Sequence, residues 1–311
     1  MRWLLVIGAL ISGNAAFAQL LSQYTQYVFN HFSINPAVAG SKDCLDVRLG
    51  YRQQWLGMEG APTTGWASLH GTLRQKGKPY QANKHGVGLF IEADEAGNWG
   101  YTRFLLAYAY HIQMSQDYYL SFGMFGGLQQ MKFNTGEAFV LEPGDAALSG
   151  RAAVLVAPEL VPGIWMYSRK AWAGLAIHQT LGNDMGLGQD ARLYRHVNLS
   201  GGYKYRLGRQ TSLTPSILLK FAGGAPAALD LNAMVEWKRV IALGAGYRGG
   251  DAVSLMMRVG FLEYFQVGYS YDITTSRLKV AGNNTHEVVL AITPCGKESQ
   301  GRRMINCPAF D

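Results

Sequence analysis

Val197-Asn198-Leu199-Ser200-Gly201-Gly202-Tyr203-Lys204-Tyr205-Arg206-Leu207 decides the fold. Its odd positions are Val, Leu, Gly, Tyr, Tyr and Leu, and its even positions are Asn, Ser, Gly, Lys and Arg. A strand turns alternate side chains to opposite faces, so one face here is apolar and the other polar. The rhythm recurs along the chain. Leu45, Val47, Leu49 and Tyr51 oppose Asp46, Arg48, Gly50 and Arg52. Leu229, Leu231, Ala233, Val235 and Trp237 oppose Asp230, Asn232, Met234, Glu236 and Lys238. Phe265, Val267, Tyr269, Tyr271 and Ile273 oppose Gln266, Gly268, Ser270 and Asp272.

Marking every such stretch predicts strands at about 45–55, 63–74, 85–94, 99–111, 117–132, 158–168, 171–181, 196–207, 211–221, 228–238, 240–248, 252–262, 265–273 and 285–294. The total is about fourteen, an even number as single-chain outer-membrane barrels have. Alternation is blurred at 117–132 and 158–181. Tiny turns at 168–170, 208–210, 239 and 263–264 alternate with long connections at 133–157, 182–195 and 274–284. Short turns on one side and long loops on the other are the mark of a transmembrane antiparallel β-barrel, with both chain ends expected on the turn side.

The chain opens with a basic Met1-Arg2, an apolar stretch Trp3–Ile11 and a small-x-small site at Ala16-Phe17-Ala18. This predicts a cleaved signal peptide over 1–18. No later segment holds the roughly 20 apolar residues of a membrane helix. With 38 Gly, 17 Tyr, 7 Trp and only 16% charged residues, the composition fits a barrel in the cell outer membrane. The net charge of +7 comes with no dense basic run, so nucleic acid is not an expected partner. Trp55, Trp99, Tyr101, Tyr110, Tyr167, Trp172, Tyr205, Trp237, Tyr247 and Tyr271 fall near predicted strand ends, where aromatic girdles form.

No catalytic motif is present: no G-x-S-x-G, no H-E-x-x-H and no phosphate loop, so neither enzyme activity nor a cofactor or metal is expected. Ser68 and His70 share one strand face, and a barrel hydrolase built on them is the enzymatic rival. The polar parities place Arg48, Arg52, Arg74, Arg103, Lys204, Arg206, Lys220, Lys238 and Arg258 in the lumen with Asp46, Glu92, Asp230, Glu236, Asp272 and Glu287. Mixed charges inside a narrow barrel pair with one another, which speaks against a general porin. Lys76, Lys78, Lys84, Arg169, Lys170 and Arg209 fall on the turn side and are candidates for docking an acidic periplasmic partner.

The cysteines are Cys44, Cys295 and Cys307. Cys44 precedes the first predicted strand and Cys295 follows the last. Barrel closure brings both to one seam, which predicts a bridge from Cys44 to one of the two C-terminal cysteines, Cys295 ahead of Cys307, with Cys307 then free or cross-linking a partner. A Cys295–Cys307 bridge is the competing connectivity.

Residues 19–44 are too aromatic for a loose leader and lack a spanning strand. They are expected to fold as a plug or clamp, in the lumen or at its periplasmic mouth, ahead of a barrel over 45–294 and a periplasmic tail over 295–311. The same segment carries a motif. Gln23-Tyr24 leads to Asn30, then Ile34-Asn35-Pro36-Ala37-Val38-Ala39-Gly40; Tyr51-Arg52-Gln53-Gln54-Trp55 and Glu59-Gly60-Ala61-Pro62 follow. This run closely resembles the PorP/SprF family of outer-membrane proteins, and the resemblance extends to His286-Glu287 and Cys307-Pro308-Ala309-Phe310. It implies a type IX secretion component: a structural and docking part that contacts periplasmic ring or peptidoglycan-linking proteins. The alternatives are a dedicated partner for export or surface retention of one large adhesin, or a passive outer-membrane channel.

Overall fold

The computed structural model describes residues 21–42, 44–73, 83–134, 153–184, 192–223, 225–262, 264–280 and 282–294. The expected signal peptide, the expected periplasmic tail and the connections at 74–82 and 135–152 lie outside the described residues. Fourteen strands form one antiparallel sheet: β1 (Asp46–Gln53), β2 (Thr63–Leu73), β3 (Lys84–Ala96), β4 (Trp99–Gln113), β5 (Tyr119–Phe133), β6 (Ala153–Tyr167), β7 (Ala171–His178), β8 (His196–Tyr203, continued by Tyr205–Arg206), β9 (Thr211–Ala222), β10 (Ala228–Trp237), β11 (Ile241–Arg248), β12 (Ala252–Phe261), β13 (Phe265–Thr274) and β14 (Thr285–Ile292). Each strand pairs with the next, and β14 pairs with β1 from Val47↔Ile292 to Gln53↔His286, which closes the barrel. Closure removes the sheet edges that a membrane would leave without hydrogen-bond partners. No helix among the described residues is long and apolar enough to cross a membrane.

The predicted parities decide the two faces. On β4, Phe104, Leu106 and Tyr108 are exposed on the outside, while Arg103, Leu105, Ala107 and Ala109 are buried inside. On β10, Leu231 and Val235 point out and Asp230, Asn232, Met234 and Glu236 point in. The outward apolar surface is the one lipid requires. The strands with blurred alternation, β5 and β6, have a simple cause. Their lumen face is itself apolar, with Phe125, Val161 and Trp165 fully buried opposite the exposed Phe122, Met124, Ile164 and Met166. One part of the lumen is therefore a packed hydrophobic core. β6 also begins at Ala153, pairing with Phe133, so the expected 133–157 loop loses its last residues to the wall.

What fills the lumen is the N-terminal segment. Residues 24–42 are all buried and run as three 3-10 turns, Gln26–Phe29, His31–Ser33 and Pro36–Val38. The segment runs lengthwise. Ser22 Oγ donates to Glu92 Oε1 at 2.9 Å and Tyr24 packs edge-on against Trp66, both near the loop end of the barrel. Lys42 lies at the turn end, bonded to Asp46 at the start of β1. The first described residues thus lie at the opposite end from Cys44 and Pro294; the chain ends themselves, expected at the turns, lie outside the described residues. The aromatic girdle needs correcting too. Trp99, Tyr205, Trp237 and Tyr247 are exposed as expected, but Tyr101, Tyr167 and Trp172 point inward and are buried. Nor is the loop-length parity strict: on the loop end, Gly97-Asn98 and Gly249–Asp251 are also tight turns.

Candidate functional site: the lumen and its plug

The plug is held by hydrogen bonds from strands all around the wall. At the loop end, Thr25 is the hub. Its N–H donates to Glu287 Oε2 at 2.7 Å and its hydroxyl to Asp272 Oδ2 at 2.6 Å. The same hydroxyl accepts from Arg52 at 2.6 Å and from Arg248 at 3.0 Å. Arg52 in turn pairs with Asp272 and Glu287, each at 3.0 Å. Four charged side chains from β1, β11, β13 and β14 converge on one threonine. Charges this deep in a lumen are stable only when paired and hydrogen-bonded together.

The middle of the plug is aromatic. Phe32 is 0% exposed, with ring centroids 4.6 Å from His70 and 5.0 Å from Phe125. His31 packs between Trp165 and Trp172. Burial, aided by Arg48 and Lys42, pushes its imidazole down to about 3. Burial raises the Tyr27 hydroxyl above its ordinary value, and that hydroxyl accepts from Asn232 Nδ2 at 2.7 Å.

The Asn35-to-Gly40 motif forms the lower half. Asn35 caps the Pro36–Val38 turn, its Oδ1 accepting from Ala37 N at 3.0 Å, and Pro36 occupies the first position of the turn, where a missing N–H costs nothing. Backbone approaches the wall where the wall has glycine. A Cβ at Gly123 would lie 2.5 Å from Ala37 Cα, and one at Gly86 would lie 1.9 Å from Ala39 O. Gly40 adopts φ +70, the left-handed region open to glycine. Wall side chains then take the plug carbonyls. His111 Nε2 donates to Ala39 O at 2.7 Å and Lys84 Nζ to Ser41 O at 2.8 Å. Thr72 Oγ1 lies 2.9 Å from Gly40 O and 2.7 Å from Lys42 O.

The other motif residues divide by face. Gln23 and Tyr24 line a loop-end cleft, and Asn30 donates to Ser68 Oγ at 3.2 Å. Tyr51 faces lipid. Trp55, with φ 43, donates its N–H to Thr285 Oγ1 at 3.1 Å. Gly60 accepts from Gly97 N at 2.9 Å, and Pro62 accepts from Gln54 N at 2.9 Å. Ser68 and His70, the enzymatic rival, are both sealed beneath the plug: Asn30 bonds the hydroxyl, and Gly40 N donates to His70 Nδ1 at 3.4 Å. No group of His, Cys, Asp or Glu suited to a metal ion occurs among the described residues.

The lumen charges pair largely as their parities imply. Arg48 bonds Asp46 at 2.7 Å, Arg103 bonds Glu92 at 2.8 Å, Lys220 bonds Asp230 at 2.9 Å, and Arg258 bonds Glu236 at 2.6 Å. Arg206 and Lys238 are exceptions and lie exposed, Lys238 over the Trp237 ring. Sequence reasoning missed Arg248 and Glu159. Arg248 pairs with Asp272 at 3.7 Å and Glu159 lies 3.7 Å from Arg103. Their inward parity was the available signal. At the loop end a small cleft, partly open to solvent, is lined by Tyr24, Tyr27, Arg103, His178, His196 and Lys220.

Of the docking candidates, Arg169, Lys170 and Arg209 are exposed in the turns, Arg169 with Asp117 at 3.6 Å. Lys84 corrects the expectation: it is buried, spent on Ser41 O and stacked over Tyr119 and Tyr167. Lys76 and Lys78 lie outside the described residues. Cys44 is disulfide-bonded, and Cys295 and Cys307 lie outside the described residues.

These features define an outer-membrane β-barrel whose lumen is filled by its own N-terminal segment. The fold is similar to that of the toluene transporter TbuX of Ralstonia pickettii, at 9% identity and TM-score 0.50 over 84% of this chain and 92% of that one. A FadL homologue of Pseudomonas aeruginosa aligns at 11% identity and TM-score 0.44 over 88% of this chain and 94% of that one. No curated protein matches the chain. The family model described as type IX secretion system membrane protein PorP/SprF matches residues 16–292, and the chain belongs to that family.

Proposed function

We propose that this barrel is a non-enzymatic structural and docking component of the type IX secretion machinery, presenting its turn end to periplasmic ring or peptidoglycan-linking proteins. The observation that carries this reading is the filled lumen. The plug, its ion pairs and the aromatic core beside Phe32 occupy the space a solute would need. A barrel whose lumen is occupied by its own chain is suited to anchor and dock. The turn end offers Arg169, Lys170, Arg209, Lys238 and Arg239, all exposed. Such a rim attracts an acidic partner over a Debye length of about 8–10 Å. The test reverses Lys170, Arg209 and Arg239 to Glu and measures recovery of the periplasmic components after mild detergent extraction. Recovery should fall, and wild-type recovery should itself weaken as salt rises. Unchanged recovery removes the rim from the reading. A large steady conductance of the purified barrel in a planar bilayer would favour the channel alternative.

A further inference from the structure

Among the described residues, the β6–β7 joint is the least complete in the wall. β6 pairs with β5 along its whole length, from Phe133↔Ala153 to Tyr119↔Tyr167. With β7 it pairs only from Gly163↔Ala176 to Tyr167↔Trp172. Above Gly163, towards the loop end, the β6 edge at 153–162 has no β7 partner among the described residues. Two local causes act together. Pro158 and Pro162 lack N–H groups, and proline in a sheet belongs at an edge. On the other side, β7 leaves the wall after His178, where Gln179 adopts φ 53. His178 Nε2 donates inward to Ile34 O at 3.0 Å, and beyond it Leu193 packs over the lumen against Tyr101 and Met131. One side-chain bond spans the gap, Asn183 Nδ2 to Pro158 O at 2.8 Å.

The plug reaches the point where the two strands part. Asn35 Nδ2 donates to Ile164 O at 3.0 Å and to Leu175 O at 3.1 Å, one carbonyl on each strand. For one amide nitrogen to reach both, these carbonyls must face each other across the joint. The even-numbered residues of β6 therefore turn their backbone groups towards β7, and Pro158 and Pro162 share that parity. The wall is shaped for the amide. A Cβ at Gly163 would lie 2.3 Å from Asn35 Oδ1, and one at Gly174 would lie 2.9 Å from its Nδ2 and 2.1 Å from the Trp165 ring.

We propose that the β6–β7 joint is where this barrel wall parts, and that Asn35 is the latch that ties the joint to the seated plug. With the plug in place, the carboxamide clamps the fork. When the segment withdraws, the clamp goes with it, and separation runs from Pro162 towards the turn at Ser168–Lys170. The backbone groups of Val154, Val156 and Leu160 already lie on the edge that has no β7 partner among the described residues, with their side chains exposed to the outside. The device does not depend on any role in secretion.

Hydrogen exchange by mass spectrometry on the full chain in detergent tests it. In the wild type, amides of 164–167 and 173–176 should exchange faster than those of the β1–β14 closure. Asn35→Asp keeps the oxygen that caps Ala37 and removes both donors. It should raise exchange at the joint by at least about tenfold, the loss of one to two net hydrogen bonds, and leave the closure unchanged. Asn35→Ala should do the same and also loosen residues 36–41, because the cap is lost as well. A disulfide from the pair Pro158→Cys and Asn183→Cys should return joint protection in the Asn35→Asp background, and reductant should abolish that rescue. Wild-type protection at the joint equal to the closure overturns the proposal. So does Asn35→Asp raising exchange equally in all strands, or a formed cross-link that gives no rescue.

Discussion

Removing the Phe32 ring should undock the plug while leaving the barrel intact. The ring is 0% exposed, sits between His70 and Phe125, and approaches the wall where a Cβ at Gly88 would lie 2.6 Å from its Cζ. The wall around it is a closed hydrogen-bonded sheet and cannot collapse into the space left by Phe32→Ala. The cost should therefore fall within the core range of about 3–5 kcal/mol. At 1.4 kcal/mol per factor of ten, a mid-range loss of about 4 kcal/mol raises the open fraction of the plug roughly 10³-fold. The amides of Ile34, Asn35, Val38, Ala39 and Ser41 report this directly, since each is bonded within the plug turns. Their exchange should accelerate by a similar factor, while the barrel keeps the heat-dependent gel mobility of a folded outer-membrane protein. Phe104→Ala is the control. Phe104 is 48% exposed on the lipid face, one residue from Leu105, which packs in the lumen. It should leave plug exchange unchanged. Equal plug protection in Phe32→Ala and wild type, or equal effects of the two variants, would refute the packing argument.

Acidification should loosen the plug through His31. Its folded value of about 3 lies below the ordinary imidazole value of about 6.5. The stabilisation is therefore complete above pH 6.5 and is lost as pH falls from there towards 3, at up to about 1.4 kcal/mol per pH unit. Plug exchange corrected for intrinsic rates should show that slope in the wild type and less of it in His31→Gln; identical slopes would exclude His31. Arg52→Met should leave Glu287 without its ion-pair partner and Asp272 with Arg248 alone, and cost about 3–5 kcal/mol. Arg169→Met, losing one exposed contact to Asp117, should cost under about 1 kcal/mol. Chemical denaturation of both variants compares them, and similar midpoints would count against the buried cluster. For the disulfide, the β1–β14 register pairs Val47 with Ile292, and the same register carried three steps further predicts Cys44 opposite Cys295. Peptide mapping without reductant should return a Cys44–Cys295 pair; a Cys44–Cys307 pair would show that the tail folds back over the seam.

The strands, their faces and the membrane class were legible in the sequence because each is a local matter. A strand between lipid and lumen must alternate residue by residue, and that imprint survives in segments as short as Val197–Leu207. Even the failures were local: β5 and β6 blurred because Phe125, Val161 and Trp165 face an apolar part of the lumen. The N-terminal motif announced a folded segment, and its proline and glycine announced turns. Only the tertiary structure decided where that segment lies and which way it runs. Thr25 meets Asp272 and Glu287 across roughly 250 residues of chain, and no local pattern records such a meeting. The same holds for Lys84, whose turn-side position suggested a docking cation until closure of the barrel aimed it at Ser41 O. Tyr101, Tyr167 and Trp172 looked like girdle residues until the closed lumen gave them inner partners: Met131 and Leu193 for Tyr101, His111 for Tyr167, and the plug's His31 for Trp172. Gly86, Gly123, Gly163 and Gly174 carried no readable message in a glycine-rich chain. Their meaning is steric, set by residues 35–40 and, at Gly174, first by the Trp165 ring, and it exists only once the barrel has closed around them.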